Sequence, residues 1–92
     1  MGNINAKRNG NIVELDIDLQ ILINAFSGKR DTIRVLPSFA IPSIDKNFIC
    51  KFANTDVSVV FTASSDGLLY LYSYDTLPIK GFHHYDTLTY IV

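Results

Sequence analysis

The residues best equipped for chemistry are a single cysteine, Cys50, and an adjacent histidine pair, His83 and His84, in a chain with several aspartates. Cys50 with His83 or His84, oriented by an aspartate, has the parts of a thiol nucleophile and its base. No local signature joins them. The sequence contains no Gly-rich phosphate loop, no nucleophile elbow and no metalloprotease helix. Neighbouring residues of extended chain point in opposite directions, so His83 and His84 do not reach one metal ion without a tight turn. One cysteine supplies neither an intrachain disulfide nor a Cys-rich zinc site. The reading at this level is two surface histidines in a loop, no catalytic residue, no metal and no cofactor.

Binding chemistry is better represented. Tyr70, Tyr72 and Tyr74 alternate with Leu69 and Leu71, so a strand here carries three phenol rings on one face and leucines on the other. With the leucines in the core, the tyrosines form an amphipathic, stiff, partly exposed ridge of the kind enriched at interface hot spots. Alternatively, tyrosine simply suits strands and the ridge lies under a loop or helix. Glu14, Asp16 and Asp18 form a second surface on the polar face of another strand. Carboxylates two residues apart stand about 6.5 to 7 Å from one another, too far to share a proton but near enough to make a negative stripe. The stripe suits a basic partner, or serves only as a solvated face that discourages edge aggregation. The spacing lacks the loop of an EF-hand.

Basic residues gather at Lys7-Arg8 and at Lys29, Arg30 and Arg34. Together with a tyrosine ridge they invite comparison with sheets that stack single-stranded nucleic acid. The charge balance weighs against it: eight Lys and Arg stand against nine Asp and Glu, for a net charge of −1, which gives no general field for phosphate.

The elements that must position these residues follow from the apolar pattern. At 92 residues, one core is the working assumption. The first ten residues read as a flexible leader, because they carry three asparagines, two basic residues and Gly10 with no apolar period, and 11–92 as one globular domain. Val13, Leu15, Ile17 and Leu19 alternate with Glu14, Asp16 and Asp18, which predicts a half-buried strand from Ile12 to about Ile17. Leu19, Ile21 and Ile23 continue that alternation, but Leu19, Leu22, Ile23 and Phe26 equally fit a helical stripe; with Asp18 and Gly28 placed as caps, the preferred reading is a short helix over Leu19 to Ser27, the alternative being more strand.

Thr32 to Leu36 is a short strand. Pro37 to Asn47 is an irregular connection lying over the core through Phe39, Ile41 and Ile44. Phe48–Phe52, Val57–Ala63 and Leu68–Tyr74 form an antiparallel meander, with Asp66-Gly67 as a two-residue hairpin turn. Thr76 to Asp86 is a loop and Thr87 to Val92 a final strand. The fold class expected is α+β: a small twisted antiparallel sheet of four to six strands with one helix on one face, the alternative being all-β.

No apolar run approaches the roughly 20 residues that span a bilayer, and the start of the chain lacks the apolar region of a signal peptide. With a lone cysteine, a cytoplasmic location fits. The functional expectation is a non-enzymatic protein-binding module, such as a small stoichiometric inhibitor or accessory subunit. Tyr70, Tyr72 and Tyr74 would supply its contact, and Glu14, Asp16 and Asp18 its steering towards a basic surface. The alternative is single-stranded nucleic-acid binding through the same tyrosines. The C-terminal strand, which carries no proline or charge over Thr87 to Val92, offers an edge through which two copies could pair as a homodimer.

Overall fold

The computed structural model describes residues 3–20, 30–52, 56–73 and 83–92. Seven strands are present among them: β1 (Asn3–Asn9), β2 (Ile12–Gln20), β3 (Arg30–Val35), β4 (Lys46–Lys51), β5 (Ser58–Ala63), β6 (Leu68–Ser73) and β7 (His83–Ile91). They form two antiparallel sheets, one in the order β1-β2-β7 and the other in the order β3-β6-β5-β4. The fold is therefore mostly β, and the all-β alternative describes it better than the α+β expectation. The only helical element among the described residues is a single 3-10 turn, Ser38–Ala40, and none is a helix long and apolar enough to cross a membrane. Leu19 and Gln20, placed by sequence at the start of a helix, extend β2 instead. The rest of that predicted helix lies outside the described residues.

The leader is also corrected. Asn3–Asn9 pairs along its full length with β2, from Asn3 opposite Asp18 to Asn9 opposite Ile12. That register leaves Gly10-Asn11 as a two-residue turn. Gly10 has a φ of 61°, the positive value that a primed hairpin turn requires at its first central residue and that glycine adopts without a Cβ penalty.

Alternation then decides which residues form the interior. Val13, Leu15 and Ile17 of β2, with Leu88 and Tyr90 of β7, pack against Val59, Phe61 and Ala63 of β5 and Leu69 and Leu71 of β6 in one buried cluster. Each sheet thus buries one face against the other, as period-2 patterning demands. Burial of a large apolar side chain contributes roughly 1.5–3 kcal/mol, so this shared interior is what holds the sheets together.

Two devices close one end of the sandwich. The phenol of Tyr90 donates to the carbonyl oxygen of Ala40 at 2.6 Å, and Arg8 donates to the carbonyl of Phe39 at 3.2 Å. The connection after β3 covers the core through Leu36, Ala40 and Pro42, with Ile41 half-buried; Phe39 and Ile44, expected to do so, are exposed.

The meander is present as β4-β5-β6, but its last turn differs from the two-residue form. Ser64 N–H donates to Leu68 and Gly67 N–H to Ser64, which makes Ser65-Asp66-Gly67 a three-residue loop with Gly67 at positive φ. Asp45 supports it by accepting from the Ser65 N–H at 2.8 Å and from the Ser64 hydroxyl at 3.1 Å.

Candidate functional site

The phase of β7 is set by Leu88 and Tyr90, whose side chains enter the core. Two residues per repeat carry the same phase back to Asp86 and His84, so both face inward while His83, Tyr85 and Thr87 face outward. The expectation of two surface histidines in a loop is thus corrected: both belong to β7, and His84 is 4% exposed. The expectation that the two rings point apart holds.

Cys50 lies on the half-buried face of β4, at the edge of the other sheet. Packing of the sheets brings its Sγ to 3.8 Å from His84 Nε2. The same nitrogen lies 3.3 Å from Asp86 Oδ2, and the three donor atoms fall within 4.8 Å of one another. Phe52 stacks on the His84 ring at a centroid distance of 5.0 Å, and Phe61 at 5.5 Å. The Thr87 N–H donates to Asp86 Oδ1 at 2.8 Å, leaving Oδ2 for the ring.

This arrangement has the residue types of a thiol relay without its wiring. A nucleophile–base–acid relay uses the two imidazole nitrogens separately, one for the nucleophile and one for the carboxylate. Here Nε2 meets both partners. Burial, together with the charge of Asp86 and a hydrogen bond to it, pushes the Cys50 thiol up to about 11, the opposite of the lowering that activates a catalytic cysteine.

Of the three predicted tyrosines, Tyr70 and Tyr72 are described, and Tyr74 lies outside the described residues. Leu69 and Leu71 are fully buried while Tyr70 and Tyr72 are half-buried on the outer face. Tyr72 stands opposite Val60, and Tyr70 opposite Thr62. The Tyr70 hydroxyl donates to Asp66 Oδ2 at 2.5 Å. Ile49, on the outward side of β4, is 72% exposed.

Glu14, Asp16 and Asp18 occupy the outward face of β2, at the centre of the other sheet. Asp16 accepts from the Thr87 hydroxyl at 3.1 Å and faces Lys7 at 3.6 Å; Asp18 lies 3.2 Å from His83 Nδ1. Asp16 and Asp18 line an open groove of about 500 Å3 with Asn3, Asn5, Tyr85 and Thr87, and Asp86 also contributes to it. Since the inward faces of both sheets share one core, the tyrosines and the carboxylates lie on opposite outer faces. The structure does not bring these two predicted surfaces together. It does assemble Cys50, His84 and Asp86, a set the sequence offered only as scattered parts.

No family model matches the chain, and neither the curated proteins nor the solved structures contain a match to it.

Proposed function

We propose that the chain is a non-enzymatic protein-binding module that acts by occupying a partner's surface, as a small inhibitor or accessory subunit does. The observation that supports this reading is the partition of β6: Leu69 and Leu71 fill the core, while Tyr70 and Tyr72 remain half-buried on the outer face beside Val60 and near the exposed Ile49. Stiff aromatic side chains with a polar tip and an aliphatic surround lose little entropy on contact and are favoured at the desolvated centre of interfaces. Tyr74 belongs to the same proposed contact by its spacing.

Glu14, Asp16 and Asp18 take a separate part in this reading. Packed sheets are about 10 Å apart, comparable to the Debye length at physiological salt, so carboxylates on the far face are poorly placed to steer a partner onto the tyrosines. They form a second contact, for a basic partner, on the groove side. A cytoplasmic location belongs to the same proposal. So does pairing of two copies through β7, which among the described residues is hydrogen-bonded on one side only.

The test is affinity capture from host lysate with the wild-type chain and a Tyr70→Ser/Tyr72→Ser variant, each shown to be folded by its thermal transition, at two salt concentrations with and without nuclease. A protein held stoichiometrically by the wild type and lost by the variant is the expected result. Equal capture by both removes the tyrosine face from the reading. Recovery of nucleic acid alone at low salt, without nuclease, replaces it with nucleic-acid binding.

A further inference from the structure

The geometry points to a zinc-class metal site formed by Cys50 Sγ, His84 Nε2 and Asp86 Oδ2, with water in the fourth position. The donor atoms are of the three kinds that zinc takes from proteins: a thiolate sulfur, an imidazole nitrogen and a carboxylate oxygen. At bond lengths of about 2.3 Å to sulfur and 2.0–2.2 Å to nitrogen and oxygen, tetrahedral ligand atoms stand about 3.3–3.6 Å apart. His84 Nε2 lies 3.3 Å from Asp86 Oδ2 and 3.8 Å from Cys50 Sγ, so binding requires little movement of the histidine relative to either partner.

Each nitrogen or oxygen donor is already held from behind. Phe52 and Phe61 stack on the His84 ring within 16° and 22° of parallel, fixing its plane. The Thr87 N–H holds Asp86 Oδ1, which aims Oδ2 at the cluster. Such outer contacts are the means by which proteins orient metal ligands. His84 and Asp86 alternate along one strand, whereas Cys50 comes from the opposing sheet, so an ion there would clip the two sheets together.

Charge supports the same assignment. On binding, the Sγ–H bond breaks, its proton leaves to solvent and the sulfur electron pair forms the metal bond. A dication with one thiolate and one carboxylate is electrically neutral, which suits a position beside two phenyl rings where an unbalanced charge is costly. The outward pair His83 and Asp18 at 3.2 Å has no sulfur and provides an internal contrast.

The test uses the full chain stripped with a chelator and titrated with Zn2+, and separately with Co2+ as a spectroscopic probe. Expected are one ion per chain, a thiolate-to-cobalt charge-transfer band in the near ultraviolet, and protection of Cys50 from iodoacetamide by Zn2+. Cys50→Ser abolishes the band and weakens Zn2+ binding by at least about 100-fold, beyond the usual effect of losing an outer contact; Asp86→Asn weakens it by about tenfold or more. Circular dichroism establishes that each variant is folded. If either variant does not fold, the wild-type band and the alkylation protection decide between the outcomes. A cobalt complex without a charge-transfer band, Zn2+ binding unchanged in folded Cys50→Ser, or Cys50 alkylated equally fast with and without Zn2+ each overturns the site.

Discussion

Tyr90 reaches across one end of the sandwich to Ala40, its hydroxyl donating to the main-chain carbonyl at 2.6 Å in a position where both residues are buried. The bond ties the last strand of one sheet to the 3-10 turn that leads into the other. Tyr90→Phe keeps the ring but leaves the Ala40 carbonyl without this donor, and such a loss costs about 1–3 kcal/mol. Urea denaturation of the two proteins measures it, with the transition midpoint falling and its slope unchanged.

Ionisation of the same phenol sets an alkaline limit. Burial pushes Tyr90 up to about 12 from an ordinary value of 10.0. The neutral phenol is therefore favoured in the folded chain. Its contribution is fully present below pH 10 and is lost as pH rises from about 10 to about 12, because only the unfolded chain releases the proton in that window. The loss is on the order of 2 kcal/mol. Stability measured from pH 9 to 12 falls in the wild type, and the part of that fall due to Tyr90 is missing in Tyr90→Phe.

The two described glycines with positive φ give a graded pair. A Cβ at Gly67, where φ is 90°, lies 3.2 Å from Ile41 Cδ1, whereas at Gly10, where φ is 61°, it meets nothing within 4 Å. Gly10→Ala therefore bears only the conformational cost, about 1 kcal/mol, and Gly10→Asn less. Gly67→Ala adds displacement of Ile41 and costs about 1–2 kcal/mol or more. Thermal melts that rank the two alanine variants in the other order would contradict the packing described around Ile41.

Removal of residues 1–9 distinguishes a leader from a strand. The truncated chain loses the partner of β2 along one edge, together with the half-buried Ile4 and Ala6 that pack against the core. A newly open edge on a central strand invites pairing between chains. The expected result is a lower melting temperature and oligomers in size-exclusion chromatography. An unchanged monodisperse profile and melt would mean that β1 adds nothing to stability.

The two faces of β6 respond differently to truncation. Leu71→Ala, at a fully buried site, costs about 2–5 kcal/mol through lost burial and a residual cavity. Tyr72→Ser, on the half-buried outer face, costs about 1 kcal/mol. Chemical denaturation of both variants supplies the comparison.

Much of this division was legible in the chain. Strict alternation over Val13–Ile17 and Leu69–Tyr72 identified strands and the residues they bury, since one face of each could be satisfied only by a core. The start of the chain was misread for a physical reason: Ile4 and Ala6 are its only apolar residues in alternation, and their surroundings of asparagine and lysine resemble solvated coil. Gly10-Asn11, a favoured hairpin pair, was the signal that could have revealed β1. A competing period led Leu19 into a predicted helix, and β-sheet pairing with His84 keeps it in β2 instead.

The cluster at Cys50 was harder to foresee because it depends on two sheets meeting. Cys50 and His84 are 34 residues apart, and periodicity does not specify which strands oppose each other. The inward phase of His84 and Asp86 was nevertheless written in Leu88 and Tyr90, which continue it. The opposition of the tyrosine and carboxylate surfaces followed from the same packing and had no local signal.

The uninterrupted two-residue rhythm of β2 has a consequence for how this sequence can change length. A single inserted residue within Val13–Ile17 would invert every position on one side of it, turning the carboxylates there towards the core and their apolar neighbours towards water, unless a bulge absorbed it. At Gly10-Asn11 the same insertion would only enlarge a turn. Heritable length variation is therefore tolerated at the hairpin tip and strongly opposed a few residues later, so that β2 acts as a fixed ruler against which both neighbouring strands are aligned.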